Sequence, residues 1–164
     1  ELCRMVGALM KIFASRILSL VAAAGLLFSA HSASAHCQVP CGIFDDHAKV
    51  DALLQDADTV IKAATLINEL ADASSAQDHQ QLVRWVNNKE SHAQHVIMVI
   101  ADYFLTQRIK DSQDDYVQRL KDHHAVIIAA MKAKQSVDPA VGEALKAAIE
   151  KLFVYYPTHE HHHH

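Results

Sequence analysis

The residues best able to do chemistry lie in one run, His36-Cys37-Gln38-Val39-Pro40-Cys41-Gly42. As an internal segment it offers an imidazole and two thiols. A Cys-x3-Cys pair alone signals little more than a small-loop disulfide or two free thiols. What precedes it changes the reading. Ala33-Ser34-Ala35 is a small-x-small signal-peptidase site. Cutting between Ala35 and His36 exposes the His36 amine, and an amine, an imidazole, the Cys37 amide nitrogen and two thiolates then fall within six residues. The amine and the Cys37 amide nitrogen close one five-membered chelate ring. The same amide nitrogen and the Cys37 thiolate close another. The Cys41 thiolate reaches the same plane if the chain turns, and Pro40 and Gly42 supply restricted and permissive backbone there. Two nitrogens and two thiolates in a plane suit a square-planar ion, Ni(II) or Cu(II), better than tetrahedral zinc. The His36 imidazole is left over as an axial ligand.

The cleavage reading rests on the whole leader. Lys11 and Arg16 give a basic n-region, and Ile17 to Ala30 is an apolar stretch of signal-peptide length, too short to span a bilayer. Met10 is the expected start, with residues 1–9 upstream or vector-derived. The sequence therefore divides into 1–35, upstream residues plus a cleaved leader; 36–44, a metal-binding hook; 45–157, a helical body; and 158–164, a His-rich tail that is either native or the remnant of an affinity tag. Signal peptidase is an implied partner, and the mature form is expected to be exported to a periplasm.

The elements that must position the hook read as helix throughout. After cleavage glycine occurs only at 42 and 142, proline only at 40, 139 and 157, and no stretch alternates like a strand. Residues 46–72 carry an i, i+3, i+4 stripe through Val50, Leu53, Leu54, Ala57, Val60, Ile61, Ala64, Ile67 and Leu70. Ala73 to Gln77 is a polar break. A second stripe over 79–109 runs through Leu82, Val86, Ala93, Val96, Ile97, Ile100 and Phe104. A third over 115–135 takes Val117, Leu120, His124, Ile127, Ile128 and Met131. Asp138-Pro139 is a helix start, with Asp as cap and Pro in the first turn, and the fourth helix runs to about Tyr156 through Val141, Leu145, Ala148, Ile149 and Leu152. The fold class expected is all-α, an antiparallel up-down four-helix bundle with an N-terminal metal-binding hook. Trp85, Val99, Phe153 and Val154 fall outside the stripes, as surface scatter or as a subunit interface.

Removing Arg4, Lys11, Arg16 and Glu1 from the 15 basic and 19 acidic residues leaves the mature chain at net −6. It has no basic patch and no second apolar run of spanning length, so neither nucleic acid nor membrane is expected as a partner of the mature form. The mature chain keeps 12 of the 13 histidines. His92 with His95, and His123 with His124, could in principle face one another across helices as a second metal site. No Glu-x-x-His pair repeats, so solvated or hydrogen-bonded histidines are the expectation. The tail, His159-Glu160 followed by His161 to His164, would bind nickel adventitiously in either origin.

The run 36–44, ending Gly42-Ile43-Phe44, resembles the nickel superoxide dismutases, whose processed N-terminus reads His-Cys-x-x-Pro-Cys-Gly-x-Tyr. The likeness extends to Lys49-Val50-Asp51 in the first helix after a one-residue gap, to His95 and Asp102-Tyr103-Phe104 in the second, and to Asp138-Pro139-Ala140 at the start of the last. It implies superoxide as substrate, one nickel per subunit cycling between Ni(II) and Ni(III), and a homohexamer of four-helix-bundle subunits. It also implies a site residue by residue. His36, Cys37 and Cys41 would be the catalytic metal ligands and Pro40 would shape the hook. Asp51 would hold the His36 imidazole, and Tyr103 would sit near the open face. Two departures stand out: Phe44 replaces the motif tyrosine and removes a hydroxyl near the substrate, and Gln38 replaces a residue that is often acidic. Asn88 stands near where a basic residue is expected.

Two other functions fit the same residues. An exported nickel or copper carrier would use hook and tail to bind metal without turnover. A structural helical protein would join Cys37 to Cys41 in a disulfide and hold no metal.

Overall fold

The computed structural model describes residues 45–158 of the 164, all within one compact unit. Four helices account for most of them, and there is no strand among the described residues: α1 (Asp46–Glu69), α2 (Ala76–Met98), α3 (Tyr116–Gln135) and α4 (Pro139–Glu150). Val99–Arg108 continues α2 as a π-helix, and Lys151–Val154 closes α4 with a 3₁₀ turn.

Helix starts follow local chemistry. Asp45 caps α1 by accepting from the Ala48 N–H. Ser75 accepts from the Asp78 N–H at 3.0 Å while its hydroxyl donates back to the Asp78 carboxylate. Asp138 accepts from Ala140, with Pro139 in the first turn as its fixed φ favours. The Ser75 cap corrects the expected break at 73–77: α1 stops at Glu69 and α2 begins at Ala76, because serine's hydroxyl satisfies the first free amides.

Each helix packs on its neighbours in sequence, and α1 also packs on α4. Long-range bonds tie the ends. His47 Nδ1 donates to the Tyr156 carbonyl at 2.8 Å, and Asn68 donates to the Val137 carbonyl at 2.7 Å. Lys89, almost fully buried, donates to the Ala133 and Lys134 carbonyls at 2.8 and 2.6 Å, placing a cation on the orphan carbonyls at the α3 C-terminus.

The core is built from Leu53, Val60, Val96, Ile100, Phe104, Leu145, Ile149 and Leu152, each at most 1% exposed. The α1 and α4 stripes match expectation. On α3 the phase differs: His123, Val126, Ala130 and Ala133 face inward, while Val117 (60% exposed), His124 and Met131 (41%) face outward. Small alanines let α3 approach closely, and the buried, hydrogen-bonded histidine is His123 rather than the His124 of the expected stripe. Val86, expected inside, is also exposed. Of the residues left outside the stripes, Val99 and Phe153 pack on the core, and Val154 is exposed.

Gly142 marks a close approach of α4 to α1. A Cβ there would lie 2.7 Å from Ile61 Cγ1 and 3.3 Å from its Cα. Gly142→Ala is expected to cost about 2 kcal/mol, the overpacking strain exceeding the gain in helix propensity. Urea denaturation measures it, and an unchanged midpoint would show that Ile61 moves aside freely.

Candidate metal centre

Ala35 and the expected ligands His36, Cys37 and Cys41, with Pro40 and Phe44, lie outside the described residues. What the structure describes is the end of the body to which that segment is joined. Asp45 caps α1, so the chain passes from Phe44 straight into a helix.

In the first turn of α1, Asp46 uses both carboxylate oxygens. Oδ1 accepts from the Tyr103 hydroxyl, and Oδ2 accepts from Arg108 Nε at 2.7 Å and from Arg108 Nη2. The Asp46 carboxylate raises the Arg108 pKa above its ordinary value, with burial opposing. Tyr103 is 6% exposed, and its ring carries the Lys49 ammonium at 4.6 Å and the Arg108 guanidinium at 5.7 Å. The π-helical turn, closed by Ile109 N–H donating to the Phe104 carbonyl, lets Tyr103 and the adjacent Phe104 both be buried.

Asp51 lies elsewhere on α1. It is half-exposed and pairs with His47 Nε2 at 3.7 Å, about 200° round the helix from Lys49. The structure therefore does not bring Asp51 and Tyr103 together, although both stand within the first two turns of α1 or against them.

Asp46 and Arg108 form a hydrogen-bonded ion pair against Tyr103 that reading the sequence missed. They are 62 positions apart, and no periodicity links them. The same holds for the aromatic layer beneath. His123 is fully buried; its Nδ1 donates to the Arg119 carbonyl at 2.7 Å and its Nε2 accepts from the Tyr156 hydroxyl at 2.9 Å. Tyr155 donates to Asp122, which holds Asp122 below the usual carboxylate range, while burial and that bond push Tyr155 up to about 12. Burial raises the Tyr156 pKa as well, so it stays a donor to His123.

Burial lowers the His123 pKa below its ordinary 6.5, mainly because the charged form loses water. The folded chain then binds fewer protons here than the unfolded chain, so this contribution to stability is full above pH 6.5 and falls away as pH drops from 6.5 toward the lowered folded value. In an NMR titration His123 is expected to titrate below 6.5. Titration at or above that value would contradict the buried neutral assignment.

His92 Nδ1 donates to Asp56 Oδ1 at 2.6 Å and His95 Nδ1 to Asp56 Oδ2 at 2.7 Å, with Asp56 7% exposed. These histidines and His123 are hydrogen-bonded. Among the described residues no group of three or more His, Cys, Asp or Glu is placed to hold a metal ion, and no helix is long and apolar enough to cross a membrane.

The model of the nickel-containing superoxide dismutase family matches residues 31–160, which take in the run 36–44 and the four helices. No curated protein and no solved structure matches the chain.

Proposed function

The chain belongs to the nickel-containing superoxide dismutase family, and from that premise we propose that its nickel is held by the processed hook, with His36, Cys37 and Cys41 as ligands. The activity is dismutation of superoxide, and the cofactor is nickel. The observation that carries the hook assignment is the extent of the match: it begins at residue 31 and so takes in the Ala35–His36 bond and both hook cysteines. The donor set fits the metal. Two thiolates with an amine and an amide nitrogen favour a square-planar d⁸ ion.

When bound, nickel supplies one-electron cycling between Ni(II) and Ni(III), which strongly donating thiolates and a deprotonated amide bring into range. The overall change is two superoxide ions and two protons to O₂ and H₂O₂. The chain's own part is binding and proton supply. The His36 amine and imidazole, the Cys37 amide nitrogen and the Cys37 and Cys41 thiolates would hold the nickel, and Asp51 would orient the His36 imidazole. Pro40 and Gly42 shape the turn. Tyr103 is held by Asp46 in the first turn of α1, two residues after Phe44. Phe44 offers no hydroxyl, so Tyr103 carries more of the work of orienting substrate and water.

Residues 10–35 act as a leader for export to a periplasm, and signal peptidase frees the site. The helices form an antiparallel up-down bundle, a reading supported by the His47–Tyr156 and Asn68–Val137 bonds at opposite ends of α1. Subunits assemble as a homohexamer, a reading supported by exposed Val83, Val117 and Val154.

The test is nickel content and superoxide decay in mature protein lacking residues 158–164, with an EPR spectrum of the oxidised form. One nickel per chain, fast decay and a rhombic Ni(III) signal with axial nitrogen coupling are expected. Tight nickel without turnover would favour a carrier. A Cys37–Cys41 disulfide without metal would favour a structural protein.

A further inference from the structure

Beside the Asp46–Arg108 pair lies a cavity of about 300 Å³. The end of the π-helix, the loop after it, the start of α3 and the end of α4 supply its walls, with Gln107, Arg108, Lys110 and Arg119 on the polar side. Asp46 is the one carboxylate in the lining, and both its oxygens are engaged, by the Tyr103 hydroxyl and by Arg108. The two lining tyrosines donate elsewhere, Tyr155 to Asp122 and Tyr156 to His123. Arg119 gives its Nε to Asp115, hydrogen-bonds the Tyr156 hydroxyl and lies over the Tyr155 ring. Lys110 has no ion-pair partner among the described residues, and Asp111 and Asp114 of its own loop are not part of the lining. Arg108 is paired with Asp46 and Arg119 with Asp115, so Lys110 is the cation left to give the cavity its positive excess. In a chain of formal net charge −4, that is a local inversion of sign.

We propose that this cavity binds small inorganic oxyanions and gathers superoxide beside the hook, with Lys110 as the residue that decides its affinity. Position supports the second half. Asp46 follows Phe44 by two residues and Cys41 by five, so Cys41 lies within about 18 Å of the cavity wall by chain length alone. A positive cleft with low-dielectric walls raises local anion concentration and on-rate. The superoxide part rests on the dismutase reading; the anion site does not.

The test titrates inorganic phosphate into nickel-loaded protein and follows the arginine Nε–H signals by NMR, alongside superoxide decay over a range of ionic strength. Wild type should show saturable shifts at Arg108 and Arg119. Lys110→Glu, an exposed loop change, should weaken phosphate binding about tenfold, slow superoxide decay at low salt by a similar factor and flatten its salt dependence. Lys132→Glu, an equal charge change on an exposed site of α3, should leave all three as in wild type. Absent shifts, or equal weakening by both variants, would overturn the proposal. Phosphate binding without dismutation would sink the dismutase reading and leave the anion site standing. Full dismutation with no phosphate response would do the reverse.

Discussion

Cys37→Ser is expected to lower superoxide dismutation by about a thousandfold or more, some 4 kcal/mol of activation free energy, while leaving the helical body as stable as before. The thiol ionises near neutral pH and becomes a soft, strongly donating ligand; the serine hydroxyl stays protonated and hard. Cys37 also belongs to two of the chelate contacts, through its amide nitrogen and its sulfur, so a local change removes half of the sulfur donors. Stability should not follow, because among the described residues a buried core from Val50 to Tyr156 already holds the four helices together. The paired readouts are superoxide decay after a pulse of radiolysis and the urea midpoint. Retained activity in the serine variant would place the metal elsewhere.

Phe104→Ala should give the largest loss of stability, about 4 kcal/mol and a fall in Tm of about 10–20 °C. Phe104 is fully buried and meets Tyr156 at 4.7 Å, Tyr103 at 5.1 Å and His123 at 5.6 Å between ring centroids. Its removal opens a cavity under the same tyrosine that Asp46 holds at the entrance to α1. A well-packed aromatic layer cannot refill that volume from three rings each fixed by its own hydrogen bond. Urea unfolding provides the number. A loss below 1 kcal/mol would mean that the layer collapses onto the gap, and Lys132→Ala, at an exposed position of α3, is the near-neutral control.

The hook is a proposal from sequence alone, because every proposed donor sits within six residues after a small-x-small run and those residues lie outside the described ones. The α1 and α4 faces were legible because their stripes carry large aliphatic side chains at helical spacing, and Asp138-Pro139 announces its helix by local hydrogen bonding alone. The α3 face was not. Periodicity weighs Val117 and Met131 above Ala130 and Ala133, and it cannot foresee that His123 finds both a carbonyl and a tyrosine hydroxyl inside. The π-helical turn at Val99–Arg108 left no mark in residue type. The Asp46, Tyr103 and Arg108 cluster depends on contacts 57 and 62 positions apart, which only the packing of α1 against the end of α2 creates.

We propose that residues 36–42 become a redox site when the Ala35–His36 bond is cut. The direct measurement compares superoxide decay for two tail-free proteins carrying equal nickel, one beginning at His36 and one retaining Ala35. The retained residue turns the terminal amine into an amide and changes nothing else in the chain. The first protein should accelerate decay strongly, and the second should fall to the level of nickel-free protein. Equal activity in the two would contradict the site.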